Sequence, residues 1–244
     1  MILRVWSLPI TLALGLNAGW VIEEATSYGV GEKSFNRITI DSQHYKSQNR
    51  GEALIIDLEK ETVYFVRDSD KSYFGGRVDD VVAQLRKSAM SEMNEEENLF
   101  EEESGGVEED KAIEIKKLAG RIESSGFIGE RYQIFVNGEF KKEMFIAPKL
   151  TANNEIDLKK LNEIMLWLSG SFTPGAKKYI ELDDKYISLI KQGYPIRTAE
   201  HDPSGGLILT IVVKAEQKSV ARDEFALPKD YARVSSEDFY RPLE

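Results

Sequence analysis

The sequence has no cysteine, only two histidines and seven prolines among 244 residues, and too few basic residues to offset its acidic ones, leaving a formal net charge of −10. The missing cysteine excludes disulfides, thiolate metal sites, a cysteine nucleophile and lipid attachment through an N-terminal cysteine. It does not fix the compartment. His44 and His201 stand alone, without the paired spacing of a zinc site and with no G-x-S-x-G or comparable nucleophile motif, so surface or sheet positions account for them better than catalysis. Acidity excludes wrapping nucleic acid, which needs clustered Lys and Arg against phosphates. No repeat of solenoid length is present.

Long apolar runs are also scarce. The main one, residues 5–16, follows the single charge Arg4 and leads into Asn17-Ala18. This reads as a short secretory signal over residues 1–18 with cleavage after Ala18, although Leu16 is larger than the usual small residue two places earlier. An uncleaved anchor is the competing reading, since the apolar stretch reaches Ile22; Pro9, Gly15, Asn17 and Gly19 make it a poor one.

The most readable stretch that is present is residues 127–148, FIGERYQIFVNGEFKKEMFIAP, in which two β-rich runs flank Asn137-Gly138. That pair is the strongest short hairpin signal. A two-residue loop sets Tyr132, Ile134 and Val136 across from Glu143, Lys141 and Glu139 and leaves no clean apolar face. A three-residue loop with Gly138 as a bulge pairs Ile134 with Phe140, Tyr132 with Lys142 and Ile128 with Ile146. One face then reads Ile128, Tyr132, Ile134, Phe140, Met144, Ile146, and the other places Arg131 across from Glu143. The bulged register is preferred because it separates apolar from polar, Lys142 being the one flaw. A one-sided antiparallel sheet needs a cover.

The rest of the chain supplies strands and three helices. Trp20, Ile22 and Tyr28 share a parity, as do Ile38 and Ile40, with a bend at 29–31. Residues 53–58 and 62–66 form a second hairpin over the turn 59–61, and 72–74 a short strand ended by Gly75-Gly76. A helix begins near Val78, with Asp79 and Asp80 in its first turn and a stripe of Val78, Val81, Val82, Leu85 and Ala89. An acidic insert near 92–110 has the composition of a mobile loop. Strands follow at 113–118 and 121–124. A helix over 157–169 carries Leu158, Leu161, Ile164, Met165 and Leu168 on one face and stops at Gly170; another spans about 183–192. The C-terminal third returns to β at 196–200 and 207–215, with residues 208–213 lacking alternation as in a strand buried on both faces, and closes with 225–227 and 231–234.

Other candidate chemistry reduces to local structure. Asp68-x-Asp70-x-Ser72 begins like a calcium loop, but Tyr73 stands where the glycine belongs and no glutamate closes it. Asp79-Asp80 and Asp183-Asp184 suit helix starts better than acid and base roles. No metal or cofactor is expected, and no catalytic residue. Tyr132, Ile134, Phe140 and Met144 facing Leu161, Met165 and Leu168 form either a filled core or the wall of an apolar cavity, which use the same residue types.

Residues 51–74 (GEALIIDLEKETVYFVRDSDKSYF), 126–148 (GFIGERYQIFVNGEFKKEMFIAP), 193–197 (GYPIR) and 223–234 (DEFALPKDYARV) resemble an uncharacterised family of exported bacterial proteins. That family is similar in fold to the LolA and LolB lipoprotein carriers, LppX-type lipid binders and the sensor domain of RseB-type regulators. Its motifs, a D-x-E-K turn, a G-[FY]-x-G-x-x-Y strand and a F-x-[LV]-P close, are structural and carry no catalytic signature. The resemblance implies an α+β fold, mainly antiparallel β, over residues 19–244 as one domain: a curved half-barrel sheet with about three helices lying over its concave face. It further implies a non-enzymatic periplasmic or envelope carrier of a lipid or other hydrophobic ligand. The alternative is an envelope protein-interaction or sensing domain with a closed core, whose partner is another envelope protein. The chain departs from lipid-anchored members in lacking a cysteine at the signal junction, and the acidic insert has no counterpart.

Overall fold

The computed structural model describes residues 17–29, 31, 33–93, 112–169, 179–201 and 205–241. Residues 1–16 of the expected signal 1–18, most of the acidic insert, Gly170 and the start of the 202–206 turn lie outside the described residues, as does the side chain of Ala89, while Asn17 and Ala18 are paired with Val220 and Ser219.

Five strands form a meander from the N-terminal side: β1 (Asn17–Tyr28), β2 (Lys33–Ile40), β3 (His44–Asn49), β4 (Glu52–Asp57) and β5 (Thr62–Arg67). β6 (Ser72–Arg77) follows and runs directly into α1 (Val78–Met93). The second half holds β7 (Ile113–Ser124), β8 (Phe127–Val136), β9 (Glu139–Ala147), α2 (Leu158–Leu168), α3 (Asp184–Ile190), β10 (Tyr194–His201) and β11 (Leu207–Val220). The two-residue β12 (Ala232–Arg233) and α4 (Ser236–Tyr240) end it. Among the described residues all twelve strands join one open sheet, ordered β12-β6-β5-β4-β3-β2-β1-β11-β10-β9-β8-β7, antiparallel except where β12 pairs with β6.

The sheet is curled, and one contact shows by how much. β7 stands four strands from β11, roughly 19 Å away in a flat sheet at about 4.8 Å per strand. Yet the Ser124 hydroxyl on β7 donates to the Val212 carbonyl on β11 at 2.6 Å, and Ser125 does so at 3.1 Å. Trp20 on β1 and Phe127 at the start of β8 meet edge to face at 6.2 Å. The β7–β8 end therefore folds back over the middle strands, the geometry of a half-barrel, and Met144 to Ala147 on β9 are buried in succession.

The helices share a core with one face of this sheet. Val78, Val81 and Val82 of α1, Leu158, Leu161 and Ile164 of α2, and Tyr186, Ile187 and Ile190 of α3 pack with Ile22, Ile38, Ile56, Val63, Ile134 and Met144. Sequence explains each start. Asp157 accepts from the Lys160 amide and Asp183 from the Lys185 and Tyr186 amides, satisfying N–H groups that the first helical turn leaves free. On the opposite face Ile55, Val66, Val220 and Phe225 form a smaller cluster, covered by the C-terminal segment. That segment pairs beside β6 and then tucks α4 under the helix face, where Phe239 packs near Phe65 and Phe74.

Five expectations are corrected. The 136–139 hairpin has a two-residue loop, with Asn137 at φ 52° and Gly138 at φ 81°, the left-handed pair whose twist matches the strands. The extra residue is Lys141, one step further in, so Ile134 pairs with Lys142, Tyr132 with Met144 and Glu130 with Ile146. Phe140 is thereby turned away from Tyr132 and Ile134, against Phe135 at 5.9 Å, and Ile128 is exposed. β6 does not end at Gly75-Gly76 but continues through them, because a Cβ on Gly75 would lie 2.2 Å from the Val63 carbonyl oxygen and only glycine admits that approach. The expected strands at 113–118 and 121–124 are one strand with a register shift. Residues 208–211 are paired on both edges but half-covered on their faces, Val212 is buried, and Val213 is an exposed bulge residue opposite β1. Residues 225–227 are not a strand: Arg222–Phe225 is a 3₁₀ turn, and only two residues of 231–234 pair.

Candidate functional site

A cavity of about 260 Å³ lies between α2, α3 and the sheet. Its sheet side comes from Ile38 and Ile40 on β2, Tyr45 on β3 and Tyr194 at the start of β10; its helix side from Leu158, Leu161 and Met165 on α2 and Ile190 on α3. The two isoleucines reach it because successive residues of one parity share a strand face, and the leucines because positions three and seven residues apart share a helix face. Asn153, Asn162 and Tyr186 add polar atoms to the wall. The Asn153 amide donates to the Ile190 carbonyl at 3.0 Å, tying the turn before α2 to α3, and the Asn162 amide to the Glu181 carbonyl at 2.7 Å, tying α2 to the turn before α3.

Of the seven apolar residues expected to line a cavity, Leu161 and Met165 do so. Tyr132, Ile134 and Met144 are buried in the same continuous core, further along β8 and β9, packed rather than facing open space. Leu168 is half-buried against that core. Phe140 is not with them: it is 39% exposed on the other side of the hairpin, near Phe135 and His201, because the Lys141 bulge reverses its parity. Ile38, Ile40, Tyr45, Ile190 and Tyr194 were not singled out in the sequence. The shared parity of Ile38 and Ile40 was a usable signal for the first two; nothing local marks Tyr194.

Beside the two tyrosines is a half-buried carboxylate. The Tyr194 hydroxyl donates to Glu24 Oε1 at 2.8 Å. Burial pushes the Glu24 carboxyl above its ordinary value, against the lowering effect of that hydrogen bond. Burial and the nearby Glu24 charge push Tyr45 up to about 12 and Tyr194 well above the usual phenol range. Lys142, the flaw in the apolar face, is turned to the helix side with Tyr186: its side chain is 14% exposed, with Glu200 at 3.2 Å and Glu181 at 3.6 Å. Burial opposes the Lys142 charge, and the Tyr186 phenol with the two carboxylates outweighs it, so the ammonium is held above its usual range.

Other groups named from the sequence are structurally engaged. His44 Nδ1 meets Asp41 at 2.9 Å, its Nε2 lies 3.6 Å from Asp57, and its ring stacks on Phe225 at 4.8 Å on the far face of the sheet. Asp70 accepts from Arg67 and from the Ser72 hydroxyl within its turn. Among the described residues no group of three His, Asp or Glu side chains is arranged to hold a metal ion. A larger and shallower groove of about 610 Å³ runs beside α4, lined in part by Leu54, Phe65, Phe239 and Tyr240.

No family model matches the sequence, and no curated protein does. Among solved structures, the chain is similar to the Pseudomonas aeruginosa MucA/MucB complex (6% identity, TM-score 0.40, 87% of this chain and 56% of that one). It is also similar to a LolA superfamily protein from Nitrosomonas europaea (9%, 0.31, 87% and 91%) and to PNGF-II (9%, 0.38, 91% and 32%). The chain thus spans about a third of PNGF-II and little more than half of the matched MucA/MucB chain. At these identities and scores the likeness assigns no residue a role.

Proposed function

We propose that this chain is an exported, non-enzymatic binder or carrier of a lipid or comparable hydrophobic ligand, held between the sheet and the α2–α3 cover. One observation carries the reading: the space under α2 is walled mainly by aliphatic and aromatic side chains, with a few polar atoms at one side, the usual make-up of a small-molecule site. Its 260 Å³ correspond to roughly nine water-sized units at about 30 Å³ each, room for one alkyl chain rather than several. Among the described residues no helix is long and apolar enough to cross a membrane.

The competing reading, an envelope protein-interaction or sensing domain with a closed core, draws on β7, which ends the sheet with no further strand beside it among the described residues. A cavity under the helical cover favours the first reading. Protein purified under native conditions from a host with ordinary membranes, extracted with organic solvent and measured by mass spectrometry, is expected to release a single-chain lipid near one per protein. Extracts indistinguishable from those of an unrelated acidic protein would reject it.

A further inference from the structure

Among the described residues no cation pairs with Glu24, and it accepts one hydrogen bond, from Tyr194. On the sheet it stands opposite Asn36 of β2 and Val212 of β11, and Ile22, two residues back on the same strand face, stands opposite Ile38 of the cavity wall. The Asn36 side chain is engaged with the Ser47 hydroxyl at 2.9 Å. Lys142, a cation on the helix side, is already held by Glu181 and Glu200. Tyr194, one of the three phenols that line the cavity, holds the carboxyl one hydrogen bond behind that wall, Glu24 itself not being among the lining residues.

The remaining polar lining points the same way. Asn153 and Asn162 each direct an amide N–H to a backbone carbonyl, and the Tyr194 hydroxyl is turned to Glu24. A carboxylate or phosphate head at this wall would meet a like charge and no ammonium or guanidinium. A neutral alcohol would leave the carboxyl as it is. A primary ammonium supplies the one thing the wall lacks, a donor with positive charge, and removes the cost of burying an unpaired carboxylate.

We propose that the ligand is an amphiphile with a cationic amine head, which pairs with Glu24 while its alkyl chain fills the space under α2. This rests on the cavity being a ligand site, and the test separates the two claims. Octylamine, octanol and octanoate share one tail, so their affinities for the full chain at pH 7, measured by titration calorimetry, differ only through the head. The expected order is octylamine at least tenfold tighter than octanol, with octanoate weakest. In Glu24→Gln the octylamine affinity falls at least tenfold and the amine-to-alcohol ratio approaches one. Octylamine no tighter than octanol, or a ratio that survives in Glu24→Gln, overturns the amine head while leaving the cavity as a ligand site. Failure of all three to bind overturns the cavity reading and the amine head with it. Should Glu24→Gln not fold, the order of the three ligands on the unaltered chain decides alone.

Discussion

Two isoleucines on the helix face of the sheet offer a matched test of whether the space under α2 is open. Ile38 is 5% exposed and lines the cavity, whereas Ile134 is 0% exposed and sits in the packed core away from it. Both are on strands, and phenylalanine suits strands about as well as isoleucine, so backbone preference cancels. Ile134→Phe must push a larger ring into filled space, which costs about 1–3 kcal/mol. Ile38→Phe can turn its extra carbon atoms into the cavity, where each methylene-sized group contributes about 0.8 kcal/mol, so its stability is unchanged or raised by about 1 kcal/mol. The two variants should therefore differ by about 1–4 kcal/mol in urea unfolding followed by circular dichroism, Ile134→Phe alone falling below the parent chain. Octanol affinity should fall at least tenfold in Ile38→Phe alone. Equal destabilisation of both variants would show that no usable space exists beside Ile38.

Further predictions concern particular residues. Because burial raises the Glu24 pKa above its ordinary 4.5, the native state holds a proton that the unfolded chain has released, and stability falls as pH climbs from 4.5 through the raised value. Glu24→Gln lacks this loss, so its stability relative to the parent should increase between pH 4 and pH 8 in urea titrations; a difference constant with pH would contradict the burial. Gly75→Ala places a methyl 2.2 Å from a backbone oxygen that cannot move aside, and should lower stability by more than about 3 kcal/mol; a loss under 1 kcal/mol would mean that β5 and β6 are not so closely paired. Edman sequencing of exported protein should begin at Gly19; an intact N-terminus after export would refute cleavage after Ala18.

What could be read in the sequence was local. The 59–61 turn, the Asn137-Gly138 turn and the caps at Asp157 and Asp183 rest on residues within a few positions of one another, and the structure places each where turn and cap chemistry require. The Lys141 bulge was not legible, because moving one extra residue along a strand keeps Tyr132, Ile134 and Met144 on a common face and reverses only its neighbours, Phe140 among them. At the C-terminus the strand read at 231–234 survives as the two residues of β12 beside β6, whereas α4 spans five residues and has no periodic pattern long enough to detect. The cavity was hidden for a different reason. Periodicity tells which side a residue faces but not whether anything fills the space before it, and Ile38, Tyr45, Leu161 and Tyr194 come together only through the curl of the sheet.

Methyl-resolved NMR during octanol titration tests the central claim most directly, because each side chain reports for itself. Shifts should concentrate on the methyls of Ile38, Ile40, Leu158, Leu161 and Ile190, which wall the cavity, while Ile134 and Ile56, buried in the same core but away from it, stay in place. Shifts confined to Leu54 beside α4, or none at saturating octanol, would contradict an alkyl chain held between α2 and the sheet.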